Sequence, residues 1–141
     1  MEQLVVIMTG GDAKFFPFIE ECLRSIFQLG LHRKADIGIL DLGLLPDQIQ
    51  ALTAMGCKVA KPEWTLPIPV ERRIPHELGL VARTALRDYF PGYEVYLWFD
   101  ADAWAQTTEF FDEFVAGARA TGTAIVRENG HKYCRNYLYN Q

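Results

Sequence analysis

Short apolar runs alternate along this chain with segments of helical period, and no other feature restricts its fold as much. Val5 to Met8 is β-rich and lacks polar alternation, the pattern of a strand covered on both faces. Pro17 then opens a helix whose apolar positions Ile19, Cys22, Leu23, Ile26 and Phe27 face Glu20, Glu21, Arg24 and Gln28, and Gly30 stops it. Ile37 to Leu40 is a second strand. Pro46 begins a helix that turns Ile49, Leu52 and Met55 inward as far as Gly56. Cys57 to Ala60 is a brief third strand, and His76 to Phe90 returns to helical period before Pro91-Gly92. Glu94 to Phe99 reads as a central strand, Thr107 or Thr108 caps a helix bearing Phe110, Phe111, Phe114, Val115 and Ala118, and Thr123 to Val126 is a fifth strand. Strands that alternate with helices in this way predict an α/β domain with a mainly parallel sheet flanked by helices.

The chain has 141 residues, half of them apolar. That is enough for one core, so residues 1–141 are expected to form a single domain. Between Lys61 and Pro75, Pro62, Pro67, Pro69 and Pro75 exclude both helix and central strand, leaving a long loop that is either functional or a packed crossover. Charges are scattered and the formal net charge is −4, which gives no basic face for nucleic acid. The first apolar run is too short for a signal segment or a membrane span, so a cytoplasmic protein is expected. Cys22, Cys57 and Cys134 are odd in number and far apart, the pattern of free, packed thiols.

In open parallel sheets ligands bind beyond the carboxyl ends of the strands. The residues there are Thr9 to Phe15, Asp41, and Asp100 to Asp102. In extended chain Asp100 and Asp102 have Cα atoms about 6.5 Å apart and point their carboxylates to one side, where they repel unless a cation lies between them. Hard oxygen donors of this kind suit Mg2+ or Mn2+, which also bridge phosphates. The alternative is that both aspartates cap the next helix or face solvent in a turn. Thr9-Gly10-Gly11-Asp12 either brings backbone close to a ligand, with Asp12 accepting from a base or ribose, or forms a turn that needs positive φ. Phe15 stacks on a base or packs its own helix. Asp41, before Gly43, contacts ribose or closes a turn. Arg83 offers a fork of donors to a diphosphate, or pairs with an acid such as Asp88. His76 and His131 have no partner at metal-ligand spacing.

Taken together, these segments resemble the GT-A glycosyltransferases, especially the retaining family that includes glycogenin and bacterial lipopolysaccharide galactosyltransferases. Ile7 to Phe15 resembles that family's turn for the uridine, and Ile39-Leu40-Asp41-Leu42-Gly43 its second-strand signature. Val81 to Leu86 is similar to the helix whose arginine reaches the sugar diphosphate, and Tyr96 to Trp104 to the metal-binding strand end. The resemblance implies a Rossmann-like GT-A nucleotide-binding domain that takes a nucleotide sugar, a UDP-sugar foremost, for glycosyl transfer. It implies that Thr9, Gly10, Asp12, Phe15, Asp41, Arg83 and Asp100 bind the donor. Asp100 and Asp102 would ligate Mn2+ or Mg2+.

Relatives continue into an acceptor-binding half with a third metal ligand, whereas this sequence ends at Gln141. Gly130-His131-Lys132 falls too early in the order to take over that ligand's role. The expectation is therefore a part of a longer enzyme, or a short form completed by another chain. No catalytic nucleophile or base is evident, and activity of the chain alone is left open. Apolar surface left by an absent half would favour homo-oligomers. Two other classes compete. One is a non-enzymatic nucleotide-binding or interaction module; the other is a haloacid-dehalogenase-like phosphotransferase, which however carries its Asp-x-Asp on the first strand.

Overall fold

In a computed structural model, which describes residues 4–126, the apolar runs form one all-parallel sheet. Its strands are β1 (Val5–Gly11), β2 (Asp36–Asp41), β3 (Lys58–Ala60) and β4 (Val95–Trp98), in the order β3-β2-β1-β4. The first strand is central and pairs with β2 from Val6 opposite Asp36 to Gly11 opposite Asp41, and with β4 from Val5 opposite Val95 to Met8 opposite Trp98. Ligand-edge residues after β1, β2 and β4 are thereby brought to one end of the sheet, as parallel order requires.

Because side chains alternate along a strand, each face of β1 feeds a different core. Val5 and Ile7 pack with Ile19, Cys22, Leu23 and Ile26 of α1 (Phe16–Gln28) and with Phe111 and Val115 of α5 (Glu109–Thr121). Val6 and Met8 pack on the opposite face with Leu40, Ala82 and Phe90. Predicted α1 is therefore present, one residue longer at its start, with its apolar stripe buried and Glu20, Glu21 and Arg24 exposed.

Several expectations need correction. The second helix, α2 (Pro46–Ala54), buries Leu52, but Met55 lies just past its end and is 42% exposed. His76 to Phe90 is not one helix: it is built from a 3-10 turn, α3 (Leu78–Ala82), a second 3-10 turn (Arg83–Ala85) and α4 (Leu86–Tyr89). The break falls at Ala85, whose φ of −126° and ψ of 27° leave the helical region. Thr123 to Val126 is not a strand, and Ile125 and Val126 are 83% and 76% exposed. Left-handed Gly122 ends α5 beside the start of β4, where Arg119 bonds Glu94 at 2.8 Å. A β-prone tetrapeptide has no intrinsic strand order without a ladder to join, and in the described residues β4 remains the edge of the sheet.

Candidate functional site

At the carboxyl end of β1, Asp12 organises the chain before α1. Its Oδ1 accepts hydrogen bonds from the backbone N–H groups of Lys14 (2.9 Å) and Phe15 (3.0 Å). These contacts set Phe15 at the mouth of α1, where its ring is 46% exposed and tilts against Phe18 at 5.4 Å. An exposed aromatic pair here is available to a flat ligand as well as to its own helix. Gly10 and Gly11, by contrast, belong to β1, and neither has positive φ. A Cβ on Gly10 would lie 2.8 Å from Cβ of Leu40, and one on Gly11 would lie 2.8 Å from Cβ of Phe15. Strand and helix packing therefore explains both glycines, and the positive-φ turn expected there is absent. Thr9 is buried, and its hydroxyl has no hydrogen-bond partner among the described residues.

At the end of β2, Asp41 is 8% exposed, and its Oδ1 accepts from Gly43 N–H (2.9 Å) and Leu44 N–H (2.7 Å). Gly43 supplies the φ of 128° that this turn needs. The turn is stitched to the β1 loop by Leu42 N–H to Gly11 O (3.1 Å) and Ala13 N–H to Gly43 O (3.0 Å). Asp41 thus closes the turn expected before Gly43 and fixes its shape beside the β1 loop.

At the end of β4, two residues from distant positions converge on one carboxylate. Nη2 of Arg83 lies 3.0 Å from Oδ1 of Asp100, and the indole Nε1 of Trp98 donates to the same oxygen at 2.7 Å. The guanidinium also lies over the Trp98 ring, 4.3 Å from its centroid. Arg83 therefore pairs with an acid, but with the site acid Asp100 and not with Asp88. Strand alternation explains the convergence, since Tyr96, Trp98 and Asp100 continue the face of β4 that looks toward α3 and α4.

Asp102 does not follow its neighbour. The N–H of Ala103 bonds the carbonyl of Asp100 at 3.0 Å, so the triplet is a turn and not the extended segment assumed from its spacing. Past this turn the chain runs over α1, with Ala105 N–H donating to Oγ of Ser25 at 2.8 Å. Burial pushes the Cys22 thiol of α1 up to about 12, and the charge of Asp102 adds to the rise. Asp102 is itself exposed and makes no hydrogen bond or ion pair among the described residues.

Among the described residues no three His, Cys, Asp or Glu side chains cluster as a metal shell. Two hard-oxygen donors are what the β4 tip offers: Asp102, and Oδ2 of Asp100, since Oδ1 already holds Arg83 and Trp98. Oxygen donors are the kind that Mg2+ or Mn2+ takes, commonly one or two carboxylates with phosphates and water completing the shell. Cys22 and Cys57 are buried free thiols, as expected, while His131 and Cys134 lie outside the described residues.

A groove of roughly 1280 Å³ runs along the open edge of β4, walled by Arg83, Trp98, Phe99, Trp104, Phe110 and Phe114. It shares Arg83 and Trp98 with the site, but Asp12, Asp41, Asp100 and Asp102 do not line it. Sequence reading had missed Trp98, although its place two residues before Asp100 on one strand face was a usable signal.

No protein-family model and no curated protein matches the chain. Two solved structures match it, both of the galactosyltransferase LgtC: one in complex with donor and acceptor sugar analogues, the other an active-site mutant. Each superposes with a TM-score of 0.58 at 15% sequence identity. The match covers 76% of this chain in both, but only 42% and 41% of the galactosyltransferase. The described residues thus share the Rossmann-like α/β fold of a GT-A galactosyltransferase over less than half of that enzyme's length.

Proposed function

We propose that this chain binds a nucleotide sugar, foremost a UDP-sugar, together with Mn2+ or Mg2+, as the donor-binding domain of a glycosyl transfer. The observation that carries the reading is the meeting of Arg83 with Asp100 at the tip of β4, next to the strand whose end presents Asp12 and Phe15. A guanidinium and a carboxylate at one strand end supply what a metal diphosphate asks for, one cation for phosphate oxygens and one anion for the metal. The likeness of the fold to a galactosyltransferase solved with a donor sugar analogue supports the same reading.

In this reading the base lies on the Phe15 face, with the free oxygen of Asp12 accepting from base or ribose. Thr9, Gly10 and Asp41 contribute backbone and shape to the crevice. Arg83 holds the phosphates. Asp100 and Asp102 would hold the metal, which when bound offsets the charge of the diphosphate. The acceptor and the rest of the transfer machinery would come from outside residues 4–126.

Calorimetry with UDP, with and without Mn2+, on wild type, Asp100→Asn and Asp102→Asn tests this. Tighter binding with Mn2+, lost in both variants, is the expected result. Mn2+-independent binding in all three proteins, or no binding, would reject the metal–diphosphate site. A second reading is a nucleotide-binding module without transferase activity. Metal-dependent UDP binding with neither transfer nor hydrolysis of UDP-galactose or UDP-glucose would select it.

A further inference from the structure

Trp98 is the part of the β4 tip that the proposed function leaves without a task. Its indole N–H donates to Oδ1 of Asp100 at 2.7 Å, and its ring carries the guanidinium of Arg83 at 4.3 Å. Arg83 in turn reaches the same oxygen at 3.0 Å. Each pair of the three is therefore in contact, and a single side chain restrains both the anion and the cation of the site. Arg83 and Asp100 have side chains 39% and 60% exposed, and an ion pair that open holds its geometry weakly by itself. A rigid indole in contact with both limits their rotamers, at little entropic cost to itself.

We infer that Trp98 is a positioning residue for metal-dependent nucleotide binding. It locks Asp100 with Oδ1 turned inward and Oδ2 free, and it keeps Arg83 stacked beside that carboxylate. This rests on the proposed function above, because the ligand it prepares for is the metal diphosphate. The two donors on Oδ1 leave one oxygen of Asp100 for a cation, which favours one-oxygen over two-oxygen ligation by this residue. Trp98→Phe removes the N–H donor while keeping a ring for Arg83; Trp98→Ala removes both.

The test is UDP affinity measured by calorimetry, with and without Mn2+, on wild type, Trp98→Phe, Asp100→Asn and the double variant. Trp98→Phe is expected to weaken Mn2+-dependent binding by about fivefold to tenfold, the scale of one ordinary net hydrogen bond, and to leave metal-free binding unchanged. In the Asp100→Asn background the same change is expected to have no further effect, since its partner charge is gone. Mn2+ is also expected to quench part of the tryptophan emission in wild type, and that part disappears in Trp98→Phe. Equal Mn2+-dependent affinity in wild type and Trp98→Phe overturns the role of Trp98 while leaving the proposed function standing. An equal loss with and without Mn2+, accompanied by a lowered melting temperature, also overturns it, by showing that Trp98 only supports the fold. Absence of any Mn2+-dependent UDP binding in wild type overturns the proposed function itself, and this inference with it. If Trp98→Phe does not fold, Arg83→Gln with the same quenching readout replaces it. Unchanged quenching and affinity there would overturn the coupled unit.

Discussion

Arg83 and Asp100 meet at 3.0 Å across the tip of the sheet, one from the 3-10 turn between α3 and α4 and the other from the end of β4. Both side chains are more than a third exposed, so water screens the pair, and its contribution to folding is about 0–1 kcal/mol. Arg83→Gln should therefore lower the unfolding free energy by no more than ~1 kcal/mol. If the proposed function holds, the same change should weaken UDP binding by about tenfold, because a diphosphate loses its guanidinium partner. Denaturation and calorimetry on the same preparation separate the two effects. A large stability loss without a change in affinity would make Arg83 structural.

The opposite end of the sheet carries a polar clamp with no counterpart in the sequence reading. Lys58 of β3 donates to Asp36 of β2 at 2.9 Å and to the Tyr93 hydroxyl at 2.6 Å, while Tyr93 donates a short hydrogen bond to Asp36. Burial alone would raise the Asp36 carboxyl, but the bonds from Lys58 and Tyr93 outweigh it and hold the group below the usual carboxylate range. A depressed acid stabilises the fold above its unfolded pKa, near 4, and loses that contribution as pH falls through the folded value. Burial and the bond from Tyr93 to Asp36 raise the tyrosine, and the bonds that Lys58 donates to Asp36 and Tyr93 raise the lysine. Raised groups stabilise below their unfolded pKa values, near 10, and stop doing so as pH climbs beyond them. The clamp should therefore act between about pH 4 and pH 10 and weaken on either side. Urea midpoints measured from pH 2.5 to 11 should fall less steeply on the acid side in Asp36→Asn, and less steeply on the alkaline side in Tyr93→Phe. Parallel curves for all three proteins would dismiss the clamp as a pH-sensitive element.

What the sequence disclosed and what it hid divide along the range of the interactions. Strand β1 and helix α1 were legible because burial on both faces and burial on one stripe leave different local periods in Val5 to Met8 and in Ile19 to Ile26. The parallel sense of the sheet followed from the alternation of strands with helices, whereas the order β3-β2-β1-β4 emerges only in the folded chain. Thr123 to Val126 has strand composition but no ladder to join, and composition is silent on that. Asp100 and Asp102 were found by type and spacing, but their relative direction depends on a turn closed by Ala103, a residue without turn chemistry of its own. The Asp36, Lys58 and Tyr93 clamp joins side chains 22 to 57 residues apart, a meeting that only the folded sheet produces.

Gly10 offers a direct way to separate packing from ligand approach. Besides meeting Cβ of Leu40 at 2.8 Å, a Cβ at this position would lie 2.9 Å from the carbonyl oxygen of Leu40, which is fixed in the sheet. Gly10→Ala must push β1 from β2, at a cost of about 1–3 kcal/mol typical of overpacked cores. The expected result is a fall of that size in unfolding free energy, with a flexible turn glycine such as Gly56 losing less space but paying for its φ of 86°. Wild-type stability in Gly10→Ala would show that the strands have room to give.

Thr9 supplies the last comparison, since its hydroxyl is buried at the carboxyl end of β1 and has no partner among the described residues. An unsatisfied buried polar group costs about 1–3 kcal/mol, whereas an apolar group of the same shape has nothing to satisfy. Thr9→Val keeps the branched shape that packs on the α1 side of the sheet. It should leave stability unchanged or raise it by about 1 kcal/mol. Because the hydroxyl is closed off from solvent, UDP affinity should stay at the wild-type value, consistent with a site that uses Thr9 for shape alone. A destabilised Thr9→Val would mean that the hydroxyl is satisfied in solution, by water or by residues outside 4–126. Weakened UDP binding at unchanged stability would instead make it a contact to the ligand, reached only when the strand end opens.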